Sequence, residues 1–200
     1  MTDPVFNVLM VGVGGQGIVL ASDILAEAAM RQGLDVKKSE IHGMAMRGGP
    51  VFSHVRFGQK VFAPVISKGE ADVIFALESM EALRWSAWAN DDTTLCCLAH
   101  NILPTGVDVY PEGVCDEAAR LYRTKIILDP SLLKQQISSL KVENTALLGA
   151  LSTLVPLEEV SFLSALSHLC PKGTFEINRQ AFDVGRQLAN QRQKEQPNVE

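Results

Sequence analysis

The sequence predicts an α/β fold: a Rossmann-like three-layer sandwich, mostly parallel in its sheet, with an antiparallel hairpin. Three observations carry this. The apolar β-forming run 5–11 leads directly into Gly12-Val13-Gly14-Gly15-Gln16-Gly17, and an Ala- and Leu-rich helical stretch follows. Short apolar runs then alternate with helical segments as far as the helix opened by Pro130, the pattern of a sheet covered on both faces. Between them, residues 51–57 alternate apolar and polar side chains, the period of an antiparallel strand.

Each element has its own justification. Residues 5–11, apolar throughout, suit a central parallel strand buried on both faces. In 18–32, Ile18, Ala21, Leu25, Ala28 and Ala29 share one helical face, and Gly33 supplies the stop. Residues 35–41 are a second strand, so the first 41 residues form a βαβ unit with a glycine-rich first turn. A glycine-rich loop, 42–50, carries Arg47. Strands 51–57 and 60–66 are expected to pair as a hairpin turning at Gly58. Alternation resumes with a strand at 71–77 and a helix at 79–88, with Ser79 as its N-cap and Glu81 in its first turn. A strand at 94–99, a helix at 112–122 and a strand at 125–128 follow, and Pro130 opens a helix in its first turn. The rest is helical: 144–155, 157–168 and 178–190, with Asn144 and Asn178 as N-caps. One domain is expected over 1–190, and 191–200 has the composition of a polar, frayed tail.

Composition narrows the function. The 200 residues are 46% apolar and 20% charged with a mean hydropathy of +0.10, enough for a core without disulfide or metal. The slight apolar surplus hints at surface that another protein covers. Eighteen basic against 23 acidic residues give a net charge of −5, which argues against nucleic acid as partner. No apolar run approaches the roughly 20 residues of a membrane helix. Met1-Thr2-Asp3-Pro4 lacks the basic start of a signal peptide, so a cytoplasmic location is expected. The cysteines, Cys96, Cys97, Cys115 and Cys170, show no metal-ligand spacing, and Cys96-Cys97 fall in an apolar strand.

Two constellations bear on binding. Gly12, Gly14 and Gly17, with Gly15 and Gln16 between them, satisfy the G-x-G-x-x-G pattern between strand and helix. Such a turn brings backbone N–H groups and a helix N-terminus to a phosphate, although close packing alone also selects glycine here. No Lys-Ser/Thr follows, which excludes a Walker A loop. Glu40 is the candidate for a ribose-binding carboxylate, although a solvated strand-end charge is the better reading of it. The second constellation is His42, Gly43, Arg47, Gly48 and Gly49. In a parallel sheet this loop meets the glycine turn at the carboxyl edge, where Arg47 suits a phosphate or carboxylate. His54 is best read as a sheet-face histidine, and His100 and His168 have no evident companions. Trp85 and Trp88 fit either core or interface.

These residues resemble a known family. Gly12–Gly17, Ser39-Glu40-Ile41-His42-Gly43-Met44-Ala45-Met46-Arg47-Gly48-Gly49 and Ser53-His54-Val55-Arg56 are similar to the gamma-type domain of 2-oxoacid:ferredoxin oxidoreductases, within it the indolepyruvate branch. Gly69-Glu70-Ala71-Asp72, Glu78 to Arg84, and Asn144 with Leu148-Gly149-Ala150 continue the match in the family's order. Met46 and Pro50 depart from the family's Gln and small residue. The resemblance implies an accessory subunit of a complex that converts an aryl-pyruvate and coenzyme A to acyl-CoA and carbon dioxide, reducing ferredoxin. It implies a large partner subunit holding thiamine diphosphate and iron–sulfur clusters, since this chain has neither a cluster-binding run nor the Gly-Asp-Gly of a thiamine diphosphate motif. It further implies that the glycine turn and the 42–49 loop lie near the coenzyme or the partner, with apolar docking surface around Met44, Met46 and Trp85. A free-standing nucleotide- or coenzyme A-binding module is the alternative, and self-association of the isolated chain stays open.

Overall fold

In a computed structural model, which describes residues 4–42, 49–103, 108–137 and 139–195, one six-stranded sheet organises the chain. Its strands are β1 (Phe6–Val13), β2 (Asp35–His42), β3 (Pro50–Gly58), β4 (Ala71–Ala76), β5 (Ala89–Leu98) and β6 (Thr124–Leu128). The helices are α1 (Ile18–Arg31), α2 (Ser79–Arg84), α3 (Val114–Arg120), α4 (Pro130–Gln136), α5 (Glu143–Leu151), α6 (Glu159–Leu169) and α7 (Phe175–Glu195).

Strand order is β2-β3-β1-β4-β5-β6. β1, β4, β5 and β6 are mutually parallel, while β3 runs antiparallel to both β1 and β2. Period-2 alternation splits the core into two layers. Val8 and Met10 of β1, Val73 and Phe75 of β4, and Cys96 and Leu98 of β5 join one cluster with α1, α5, α6 and α7. Leu9, Val11, Ile74, Ala76, Leu95 and Cys97 face a smaller cluster that includes Ala82 of α2 and Ala118 of α3. The expected three-layer α/β sandwich is therefore present.

The structure departs from sequence expectation in the strand pairing. Residues 60–66 form no strand, so the hairpin expected to turn at Gly58 is absent; the hairpin is β2–β3 instead. β1 and β2 occupy both edges of β3, leaving no edge for a third partner. Pro64 also lacks a backbone donor. Segment 60–66 is held by side chains instead: Arg56 donates to the carbonyls of Ala63 and Val65 at 3.1 and 2.9 Å, Asp35 accepts from Val61 N–H at 2.8 Å, and the His54 ring accepts from Ile66 N–H at 3.3 Å. For the same reason the first βαβ unit is not a simple one: β3 lies between β1 and β2, and β1 is parallel on its β4 side only.

The helix caps shift too. Glu78, not Ser79, caps α2, its carboxylate accepting from Glu81 N–H. Asn144 and Asn178 are interior residues of α5 and α7 rather than caps. The Thr145 hydroxyl donates to Asn178 Oδ1 at 2.7 Å, tying the two helices together. α7 also takes in residues 191–195, whose Gln, Arg, Lys and Glu are good helix formers. Gln193 Nε2 anchors this turn on Thr153 at 3.3 Å.

Candidate functional site

The carboxyl ends of β1, β4 and β5 meet the glycine turn at the edge where open α/β sheets place their ligands. Gly15 and Gly17 carry φ of +102° and +83°, in the left-handed region that favours glycine. A Cβ on Gly17 would also overlap the Asn144 amide, which reaches across from α5 to donate to the Gly17 carbonyl at 3.3 Å. α1 begins at this turn with no side-chain cap and no acidic residue in its first turn, so its N-terminal dipole is uncompensated there.

Gln16 decides the local geometry. Its Oε1 accepts from Val13 N–H at 2.7 Å and its Nε2 donates to the Leu77 carbonyl at 2.6 Å. One side chain thus joins the ends of β1 and β4, the point at which strand order reverses. The Gly14 N–H donates to the Gly49 carbonyl at 2.9 Å, which brings the glycine turn beside the start of β3. Gly12, near the end of β1, packs against Gln16 and Ile18.

The other sequence-predicted residues divide. Glu40 lies on β2, with β3 between it and β1, one strand further from the turn than the ribose-binding position of a dinucleotide fold; it pairs with Lys38 at 3.1 Å. His42 closes β2, its side chain outside the described residues. Gly43, Arg47 and Gly48, together with Met44 and Met46, also lie outside the described residues. His54 is buried as a sheet-face histidine; burial lowers its pKa, with Arg56 adding to the effect, and the neutral ring accepts from Ile66. Trp85 and Trp88 are partly buried: the Trp85 ring lies tilted against Phe52 with centroids 4.2 Å apart and its indole N–H donates to Glu81, and Trp88 donates to the Ile66 carbonyl. Among the described residues, Ile41, Phe62 and Val65 are exposed apolar side chains.

Beside the turn, tertiary contacts create a crevice that sequence reasoning missed. A space of about 190 Å³ lined by Gly15, Gln16, Asn144 and Leu98 opens into a second of about 430 Å³ at Pro130 and Lys134, and both share His100, Lys141 and Glu143. His100 has companions after all: its Nδ1, shielded from solvent, lies 3.7 Å from Glu143 Oε2. Burial raises the Glu143 pKa, and the histidine opposes this. These residues are 43 positions apart (100 to 143), so no local motif could have announced them. His168 likewise pairs with Glu27 at 2.9 Å.

A smaller crevice of about 100 Å³ lies between Val13, Pro50, Met80 and Arg84, walled by the buried carboxylates Glu78 and Glu81. Burial raises the Glu81 pKa above its ordinary 4.5 and Glu78 adds to it, while Arg84 and the Trp85 indole oppose. A carboxyl whose folded pKa is raised costs stability once the pH passes 4.5, and the cost grows until the pH exceeds the folded value. Glu81→Gln is therefore expected to be more stable than the parent at pH 7. Urea midpoints measured across the pH range should converge as the pH falls toward and below 4.5.

The family model described as pyruvate ferredoxin/flavodoxin oxidoreductase matches residues 7–188. The chain belongs to this family. The indolepyruvate oxidoreductase subunit IorB of Thermococcus kodakarensis is 32% identical, covering 93% of this chain and 96% of that protein. IorB of Archaeoglobus fulgidus is 40% identical over 72% and 75%. Among solved structures, the keto/oxoacid ferredoxin oxidoreductase gamma subunit of Geobacter sulfurreducens superposes with a TM-score of 0.70 at 25% identity, covering 93% of this chain and 99% of that one. The fold also recurs in a 2-oxoglutarate:ferredoxin oxidoreductase chain of Magnetococcus marinus, with a TM-score of 0.69 at 22% identity, covering 94% of this chain and 31% of that one.

The cysteines of this chain do not fit an iron–sulfur cluster. Cys96 and Cys97 face opposite sides of the sheet, and Cys170 follows α6. Among the described residues, no three His, Cys, Asp or Glu side chains are grouped to hold a metal. No helix among them is long and apolar enough to cross a membrane.

Proposed function

We propose that this chain is the accessory subunit of a 2-oxoacid:ferredoxin oxidoreductase that takes an aryl-pyruvate such as indolepyruvate. The complex would join the acyl group to coenzyme A, release carbon dioxide and reduce ferredoxin. Thiamine diphosphate and the clusters belong, in this reading, to a larger partner. The supporting observation is Gln16, which fills the switch point between β1 and β4. A free-standing dinucleotide module keeps that point open for the pyrophosphate; here an amide occupies it, leaving the space displaced toward His100 and Lys141. The turn and its uncapped helix then present backbone N–H groups to a phosphate of the coenzyme or to a partner carboxylate at the subunit boundary. The loop from His42 to Gly49, with Glu40, Gly43, Arg47 and Gly48, is assigned to the same boundary.

Co-expression with a thiamine diphosphate- and cluster-bearing large subunit, followed by gel filtration, tests the assignment. The two chains are expected to co-elute at micromolar concentration, and separate elution refutes the subunit reading. The free-module reading makes the opposite demand: NAD, FAD or coenzyme A alone should raise the melting temperature of the isolated chain. Ligand at 100 times Kd would contribute about 2.7 kcal/mol.

A further inference from the structure

β2 stands at one end of the sheet, with β3 on one side and, among the described residues, no strand on the other. A strand in that position turns every second N–H and C=O outward, a template for a further strand. β2 runs from Asp35 to His42, as long as β1, so it is not shortened as exposed edges often are. Ile41 on β2 is exposed, and so are Phe62 and Val65 of the 60–66 segment, which the Asp35–Val61 bond ties to the start of β2.

The side chains of β2 are complementary to themselves. Two copies joined edge to edge by a two-fold axis perpendicular to the sheet run antiparallel, and the residue on the axis faces its own copy. With Ser39 on the axis, Lys38 of each copy stands opposite Glu40 of the other, and Lys37 stands opposite Ile41. Within one chain Lys38 and Glu40 already pair at 3.1 Å, and Lys38 also bonds Asp23 of α1. Two lysines and two glutamates of alternating sign then close around the axis, and the apolar Lys37 stem covers the exposed Ile41. Other registers fail. An axis on Lys37, Lys38 or Glu40 sets like charges directly opposite each other, and an axis on Val36 or Ile41 pairs only three residues of each strand.

We propose that the β2 edge is the docking surface for a second copy of this chain, with Ser39 on the two-fold axis and the two six-stranded sheets joined into one. Residues 36–42 of each copy supply the new ladder. The charges select this partner over an unrelated strand: two adjacent lysines discourage indiscriminate pairing, and a second copy answers Lys38 with Glu40. β3 separates this surface from the glycine turn on β1. Because Glu40 is also assigned to the boundary with the larger partner, the test is made on this chain alone, where only the dimer is read.

Sedimentation velocity on the full-length chain reads the mass directly. At micromolar concentration the parent is expected to sediment at twice its 21.7 kDa. Lys38→Glu and Glu40→Lys each set like charges opposite each other on both sides of the axis, and each should raise the dimer dissociation constant about tenfold or more. Mixed in equal amounts, these two variants should form a heterodimer, since each supplies the charges that the other lacks, and the double variant Lys38→Glu/Glu40→Lys should recover the dimer in one chain. Misfolding cannot produce recovery on mixing. Lys38→Glu also gives up the Asp23 bond, so Ser39→Lys, which puts two lysines on the axis, serves as a further variant, expected to be monomeric with an unchanged melting transition. A monomeric parent chain overturns the proposal. So does a parent dimer that all three single variants retain, or a mixture of folded Lys38→Glu and Glu40→Lys chains that stays monomeric.

Discussion

Gly185→Ala is expected to destabilise the chain by about 3 kcal/mol, the upper part of the usual overpacking range. α5 and α7 cross so closely that a Cβ at Gly185 would overlap the Ala146 carbonyl oxygen, and one at Gly149 would overlap the Phe182 carbonyl. Both obstacles are backbone, so no flexible side chain can swing aside. Alanine gains up to about 1 kcal/mol over glycine in helix propensity, and the steric cost outweighs that gain. For a chain of this size the loss corresponds to about 10 °C in melting temperature. Gly33→Ala is the control. Its φ of +76° strains alanine, yet no atom lies within 4 Å of the added Cβ, so a loss of only about 1–2 kcal/mol is expected. If Gly185→Ala proves the milder substitution in urea unfolding, the close α5–α7 crossing is wrong. Because α5 also supplies Asn144 to the glycine turn and Glu143 to the crevice, the same variant should weaken assembly with the partner.

The second large effect belongs to Glu78→Ala. This carboxylate is 1% exposed, yet it accepts from Glu81 N–H at 2.9 Å, Ile102 N–H at 3.2 Å and the Tyr110 hydroxyl at 2.5 Å. Burial, together with the carboxylate, pushes the Tyr110 pKa up, which keeps the phenol a donor. Removing the acceptor strands three donors and releases the cap of α2. The expected cost is on the order of 3–5 kcal/mol, since hydrogen bonds to charged groups are the strong ones and orphaned buried groups lose their full desolvation energy. Tyr110→Phe leaves two donors in place and should cost about 1–2 kcal/mol. Hydrogen exchange separates this from a general loss of stability. The Ile102 amide should lose protection in Glu78→Ala relative to amides of β1, and uniform loss across the sheet would contradict the role given to Glu78.

What could be read in advance follows physical locality. The run 5–11, the glycine turn and the face made by Ile18, Ala21, Leu25 and Ala28 are local patterns, and β1, the turn and α1 appear within two residues of expectation. The hairpin lies at β2–β3 and not at 51–66, although 35–41 and 60–66 both satisfy a strand pattern. Only competition for the two edges of β3 separates them, and that competition is a property of the assembled sheet. Ser79 has the composition of an N-cap, but Glu78 is better placed because its carboxylate also satisfies Ile102 and Tyr110, residues 24 and 32 positions away. The site divides likewise. The glycines are legible because their φ angles are local demands, whereas His100, Lys141 and Glu143 converge only when β5 and α5 share an edge.

The fold class, the glycine turn and the family are legible in the chain alone, since each rests on short-range periodicity or on a motif that must be contiguous to work. That β3 enters the sheet against the parallel grain and that Gln16 closes the switch point emerge only on folding. Those outcomes depend on which distant segments share an edge or a layer, and the free energy of that choice comes from burial and backbone pairing across the whole sheet.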